Sequence, residues 1–249
     1  MAKISLSQPT IILCVGAAGI GKTTVIKDVL RDIADTYLLE KDVVLEQFLH
    51  TNPFSAPNIA DGKDDRYPFS SGEYTIYFKN QVYAAMLNIA FANAALGKST
   101  VIDGHYLQWL DVPGGRDGLR NGLRTIYDPD VVASDAFRVC TLFFHVTDSD
   151  VVRTRIKARM AHDPAAHDRD APKVRDDAAW KRLLEKEPAH WQPELDKYAD
   201  IFGIDLTQDY SGARRAEIKR EILAFLQEHR TLEQAGIYKD EPLSRTLSK

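Results

Sequence analysis

Between an apolar run, Thr10 to Val15, and a segment whose apolar residues Val25, Ile26, Val29, Leu30 and Ile33 recur at helical spacing lies Gly16-Ala17-Ala18-Gly19-Ile20-Gly21-Lys22-Thr23-Thr24. The spelling is glycine, four residues, glycine, lysine, threonine, in the context of a strand before and a helix after, which defines a phosphate-binding loop. Glycines at these positions let successive backbone N–H groups turn inward around an anion, at a point where a helix begins and its dipole favours negative charge. Lys22 reaches the β- and γ-phosphates, and the Thr23 hydroxyl is a ligand for Mg²⁺. A continuous apolar strand feeding such a loop predicts a parallel sheet covered by helices on both faces, an α/β fold.

The remainder of the chain is compatible with that expectation. Its 249 residues suffice for one large α/β domain, and 44% hydrophobic residues suffice for a core. Thirty-two basic against 36 acidic residues leave a net charge of -4, which gives no general attraction to nucleic acid or to an anionic membrane. Cys14 and Cys140 both fall in apolar strand-like runs and read as reduced, buried thiols. No run is long enough to span a bilayer or to act as a secretory signal, so a cytoplasmic protein is expected.

Further strands follow in order. Thr36 to Glu40 reads as the second, and Asp42 falls where that strand ends and a helix over Val43 to Leu49 begins. Open α/β sheets bind ligands at the carboxyl ends of their strands, so Asp42 either faces the site or caps the helix, and one residue can do both. Residues 51–73 have loop composition, suited to acceptor binding. A helix is predicted from Tyr74 to Leu96, with Phe78, Val82, Met86, Ile89 and Leu96 on its apolar face and Gly97 as its stop.

Ser99 to Gly104 is an apolar strand ending in Asp103, the carboxylate that a Walker B element places at a strand end to hold Mg²⁺. Glycine, not glutamate, follows Asp103, which leans toward transfer to a substrate and away from hydrolysis. Residues 106–136 form a glycine-containing insertion. Its Arg116, Arg120 and Arg124 recur at four-residue steps, as a solvated basic face or as a contact for a polyanionic acceptor. Asp111 to Gly114 also matches a GTPase signature, but no base-reading Asn/Thr-Lys-x-Asp follows.

Arg138 to Val146 is another buried strand, and Thr147 to Asp150 caps a helix beginning near Val151. On that helix Arg155 and Arg159, four apart, share a polar face, either as solvated charges or as two guanidiniums that straddle a transferring phosphoryl group. Residues 160–188 read as a lid in which Arg169, Lys173 and Arg175 either close onto phosphates or keep the segment soluble, while His162 and His167 have no zinc-site spacing. A short helix from Pro193, a last strand from Ile201 to Thr207, a loop to Gly212 suited to pass the base, and a closing helix from Glu217 to His229 precede a charged tail over 231–249.

With these elements in place, the chain resembles, over roughly residues 10–225, the small P-loop kinases related to nucleoside monophosphate kinases. These include shikimate and gluconate kinases, zeta toxins, chloramphenicol phosphotransferase and polynucleotide 5′-kinases. The resemblance implies a three-layer, doubly wound P-loop NTPase fold: five parallel strands in the order 2-3-1-4-5 with a helical lid after the fourth. It further implies that Asp42 orients or deprotonates an acceptor hydroxyl and that Arg155 and Arg159 are lid-base arginines. One kinase domain over 1–230 is the expectation. ATP and Mg²⁺ would bind through Gly16, Ala17, Ala18, Gly19, Ile20, Gly21, Lys22, Thr23 and Thr24, with Thr23 and Asp103 holding the metal. The expected acceptor is a small molecule or nucleotide. A nucleic-acid acceptor using Arg116, Arg120 and Arg124, and an ATPase or regulator without an acceptor, are the alternatives.

Overall fold

Every residue of β1 (Thr10–Val15) is buried, and its side chains divide between two hydrophobic clusters. Ile11, Leu13 and Val15 enter one, Ile12 and Cys14 the other, as the two-residue period of a strand requires when both faces are covered. In this computed structural model the described residues are 3–45, 80–104, 137–162, 170–186 and 200–228. They form five parallel strands, β1, β2 (Thr36–Glu40), β3 (Ser99–Asp103), β4 (Arg138–His145) and β5 (Ile201–Asp205), in the order β2-β3-β1-β4-β5. This is the expected order, and the fold is that of a P-loop NTPase.

One face of the sheet is covered by α2 (Asn80–Ala95), whose Val82, Tyr83, Met86, Leu87, Ala90, Phe91 and Ala94 pack with Leu13, Ile102 and Phe143. The other carries α1 (Lys22–Val29), α3 (Ser149–His162), α4 (Asp177–Lys186) and α5 (Gly212–Gln227), which contribute Val25, Ile156, Trp180 and Ile222 to the second cluster. Three layers result, as expected.

The element limits differ from expectation in ways that have physical causes. α1 ends at Val29, and Ile33 is buried instead through a parallel bridge with Ile4. On α2 the buried stripe is shifted from the predicted one: Val82 and Met86 are buried, but Ile89 and Leu96 are 43% and 75% exposed. Several stripes are possible because α2 is apolar almost all round, and contact with the sheet selects one. Gly97, at φ 74, does stop the helix: Lys98 N–H donates to Asn93 O at 2.9 Å and Gly97 N–H to Ala94 O at 3.0 Å, the two bonds of a Schellman motif. α3 begins two residues earlier than expected, with Asp148 accepting from the Asp150 N–H at 2.9 Å. β5 ends at Asp205 and α5 begins at Gly212, five residues before the predicted Glu217.

Arg138, at the first position of β4, is 0% exposed. Its guanidinium makes a two-pronged pair with Asp200, at 2.7 Å on both prongs, and donates to the Phe225 and Glu228 carbonyls at 2.8 and 2.9 Å. The start of β5 and the end of α5 are thereby fixed to β4, at the end of the sheet away from the phosphate loop.

Residues 51–73, 106–136 with Arg116, Arg120 and Arg124, the segment from Pro193, Arg169, His167 and the tail over 231–249 lie outside the described residues.

Candidate nucleotide site

The phosphate loop leaves the end of β1 pressed against its neighbours. Gly16 has φ 137, and a Cβ there would meet the Phe144 carbonyl oxygen at 2.2 Å. Gly19 has φ 83, and its Cβ would meet Ile156 Cγ1 at 2.5 Å. Neither position admits a side chain without displacing β4 or α3. The loop ends at Gly21, the N-cap of α1, whose carbonyl accepts from the Thr24 and Val25 N–H groups at 3.1 and 3.2 Å, and a helix start of this kind favours an anion.

Lys22 folds back over the loop, donating to the Gly16 carbonyl at 2.9 Å and to the Ala17 carbonyl at 3.0 Å. Burial pulls its pKa below the ordinary lysine value, while the charges of Asp103 and Asp42 act the other way and favour the ammonium. The thiol of Cys14, next to the loop, is pushed up by burial and secondarily by Asp103, so it stays protonated and inert.

Strand register brings the carboxylates to the same end. Cys14 pairs with Asp103, and Glu40 pairs with Asp103 from the other side, so the ends of β1, β3 and β2 are level. Thr23 donates its hydroxyl hydrogen to Asp103 Oδ2 at 2.5 Å, joining the first turn of α1 to the end of β3. Asp42 stands two residues past β2, half exposed, with Lys41 Nζ 2.9 Å from its Oδ1. Lys22, Thr23, Asp42 and Asp103 thus come together at the carboxyl ends of adjacent strands, where open parallel sheets bind ligands.

Beside the loop is a cavity of about 320 Å³, within the range of small-molecule pockets. Gly19 to Thr24 form one wall, and Arg155, Arg159, Leu206, Asp209 and Tyr210 the other. Asp42 is not among its walls, and Asp103 adjoins it through Thr23. Arg155 donates to the carbonyls of Leu206 at 2.7 Å, Gln208 at 3.2 Å and Ile20 at 3.3 Å, so it ties the phosphate loop to the segment following β5. Arg159, one turn along α3, donates to Asp170. Of the cations in the segment after α3, Lys173 is bonded to Asp170 at 2.8 Å and Arg175 to Asp176 at 3.0 Å.

Four groups that sequence reasoning had not singled out complete the surroundings. Asp28 of α1, Tyr210 of the cavity wall and Arg215 of α5 form one hydrogen-bonded set, and Asp170 anchors the end of α3. Asp28 had a signal: three residues after Val25 and one before Val29, it is an acid on the edge of an apolar stripe. Nothing in the sequence signalled the bond of Asp170 to Arg159, because that partner lies on another element.

In the family comparison the model of the AAA domain matches residues 11–186, a stretch that runs from β1 to the end of α4. The chain belongs to the AAA domain family. Solved structures similar to this AAA domain include shikimate kinase from Bacteroides thetaiotaomicron, 13% identical over 88% of this chain and 99% of that one, with a TM-score of 0.49. A sugar kinase from a Janibacter species is 19% identical over 88% and 94%, TM-score 0.42. The Deinococcus radiodurans tunicamycin resistance protein is 14% identical over 86% and 96%, TM-score 0.43. No curated protein sequence matches the chain. Among the described residues, no helix is long and apolar enough to cross a membrane, and no group of three His, Cys, Asp or Glu side chains could hold a metal ion.

Proposed function

We propose that this AAA domain is an ATP- and Mg²⁺-dependent phosphotransferase that moves the γ-phosphoryl group to a hydroxyl of a small molecule or nucleotide. The observation carrying the reading is the junction of Thr23 with Asp103 at 2.5 Å beside Lys22, with the Asp42 charge acting on the same ammonium. The Thr23 hydroxyl and the Asp103 carboxylate are hard oxygen donors on adjoining elements, a set that suits Mg²⁺. These two residues would hold the ion, whose chemistry is to neutralise charge on the β- and γ-phosphate oxygens.

In this reading the loop amides from Gly16 to Thr24 bind the phosphates. Lys22 exchanges its Gly16 and Ala17 carbonyls for phosphate oxygens and lowers the cost of charge on the transferring group. The nucleoside lies along the cavity toward Leu206, Asp209 and Tyr210, on a segment that Arg155 holds against the loop. Arg159 faces the phosphates from α3. Asp42 holds the acceptor hydroxyl in line and accepts its proton as the new P–O bond forms and the β–γ bridge bond breaks. Catalysis then rests on positioning and fixed charge.

The test is incubation of the purified chain with γ-labelled ATP and a panel of nucleosides, sugars, sugar nucleotides, antibiotics and oligonucleotides. Lys22-dependent transfer of label to one class supports the reading. ADP release at the same rate with and without every acceptor would instead support an ATPase. Uptake of no nucleotide at all overturns both.

A further inference from the structure

Asp170 is 0% exposed, a degree of burial that a carboxylate sustains only when it is paired. One of its oxygens accepts from Arg159 Nη2 and the other from Lys173 Nζ at 2.8 Å. Arg159 is also a wall of the nucleotide cavity, about one-third exposed there, and its Nε has no hydrogen-bond partner among the described residues. The contrast with Arg155, one turn earlier, is informative. Arg155 directs its donors to the carbonyls of Ile20, Leu206 and Gln208, which fix the segment beyond β5, whereas Arg159 makes no bond to that segment. A long arginine at a cavity wall would sample many rotamers, and a buried, immobile carboxylate behind it removes most of that freedom.

We propose that Asp170 is a positioning residue for the nucleotide site: its buried carboxylate holds the Arg159 guanidinium toward the terminal phosphate of a nucleoside triphosphate. Lys173 supplies a second positive charge to the same carboxylate, so the three groups carry a net charge of about +1 and Arg159 keeps its attraction for an anion. The inference rests on the reading that the cavity binds a nucleoside triphosphate. It adds that discrimination between tri- and diphosphate runs through a residue that touches neither.

The experiment is calorimetry on the full chain with Mg·AMP-PNP and Mg·ADP, using wild type, Asp170→Asn, Arg159→Gln and the double variant. Asp170→Asn is expected to weaken AMP-PNP about 10-fold and ADP by less than about 2-fold, since only the triphosphate meets Arg159. The double variant is expected to match Arg159→Gln alone, because the carboxylate acts only through that side chain. Equal losses for the two nucleotides, or additive losses in the double variant, would overturn the positioning role. Should Asp170→Asn not fold, Asp170→Glu retains the charge while displacing it by one methylene. A lowered preference for AMP-PNP over ADP in that variant supports the role, and an unchanged preference overturns it. Lys22→Ala run in parallel separates the two levels. Lys22-dependent binding indifferent to Asp170 removes this inference alone, and no binding by wild type removes the phosphotransferase reading with it.

Discussion

Tyr210 donates its hydroxyl hydrogen to Asp28 Oδ2 at 2.9 Å, so a wall of the cavity is pinned to the helix that begins at the phosphate loop. Arg215 of α5 bonds the same carboxylate through Nε at 2.9 Å and also through Nη2, and Lys219 lies 3.8 Å away. Tyr210→Phe removes one neutral donor and leaves Arg215 in place, so it is expected to lower stability by about 1 kcal/mol in urea unfolding.

The same carboxylate predicts an acid-side transition. The bond from Arg215 leads the causes that pull the Asp28 carboxyl down to about 2 from an ordinary 3.8. A depressed folded-state value means that the contribution is fully present above pH 4 and is lost as pH falls from there toward 2. It amounts to about 1–2 kcal/mol after allowance for the half-exposed Arg215. Unfolding of wild type and Asp28→Asn at pH 7 and pH 3 checks this: the gap between them is expected to narrow at the lower pH, and a constant gap would contradict it.

Removing the buried guanidinium at the far end of the sheet is expected to be more severe. Arg138→Leu leaves the Asp200 carboxylate, 6% exposed, without its two-pronged partner, at a cost of about 3–5 kcal/mol. Asp200→Asn should cost less, because Asn keeps an acceptor and tolerates the φ of 49 found there. Denaturant midpoints of the two variants test the order.

Two glycines with positive φ separate steric clash from backbone strain. Gly97 has nothing within 4 Å of an added Cβ, so Gly97→Ala bears only the left-handed conformation, about 1 kcal/mol. At Gly16 the added Cβ would meet the Phe144 carbonyl at 2.2 Å, and β4 or the loop must move. Gly16→Ala is therefore expected to lose nucleotide binding and more stability than Gly97→Ala, measured by calorimetry and thermal unfolding.

At the loop itself, Lys22→Ala removes two bonds to loop carbonyls and an ammonium, and is expected to abolish turnover while the fold persists by circular dichroism. Thr23→Val keeps the shape but loses the hydroxyl that meets Asp103, so the Mg²⁺ dependence of nucleotide affinity should fall by about 10-fold or more. Retained turnover in Lys22→Ala, or an unaltered Mg²⁺ response in Thr23→Val, would count against these assignments.

The sequence by itself determined the parts of this protein that depend on neighbours in the chain. The apolar run Thr10–Val15, the glycines and Lys22-Thr23 after it, and an aspartate closing β3 are local patterns legible from a few consecutive residues, and β2 has its predicted limits. The placing of Asp103 at the end of β3 and of Asp42 just past β2 was legible, and a strand end is where a parallel sheet binds ligands. Only the tertiary structure decided which stripe of α2 is buried, since an all-round apolar helix offers several and the sheet takes one. It also decided that Arg155 grips three carbonyls, that Asp28 receives Tyr210, and that Asp170 stands behind Arg159. Periodicity records which side of an element is apolar. The partner of a charge on that element is set by packing between segments far apart in sequence, and no local pattern encodes it.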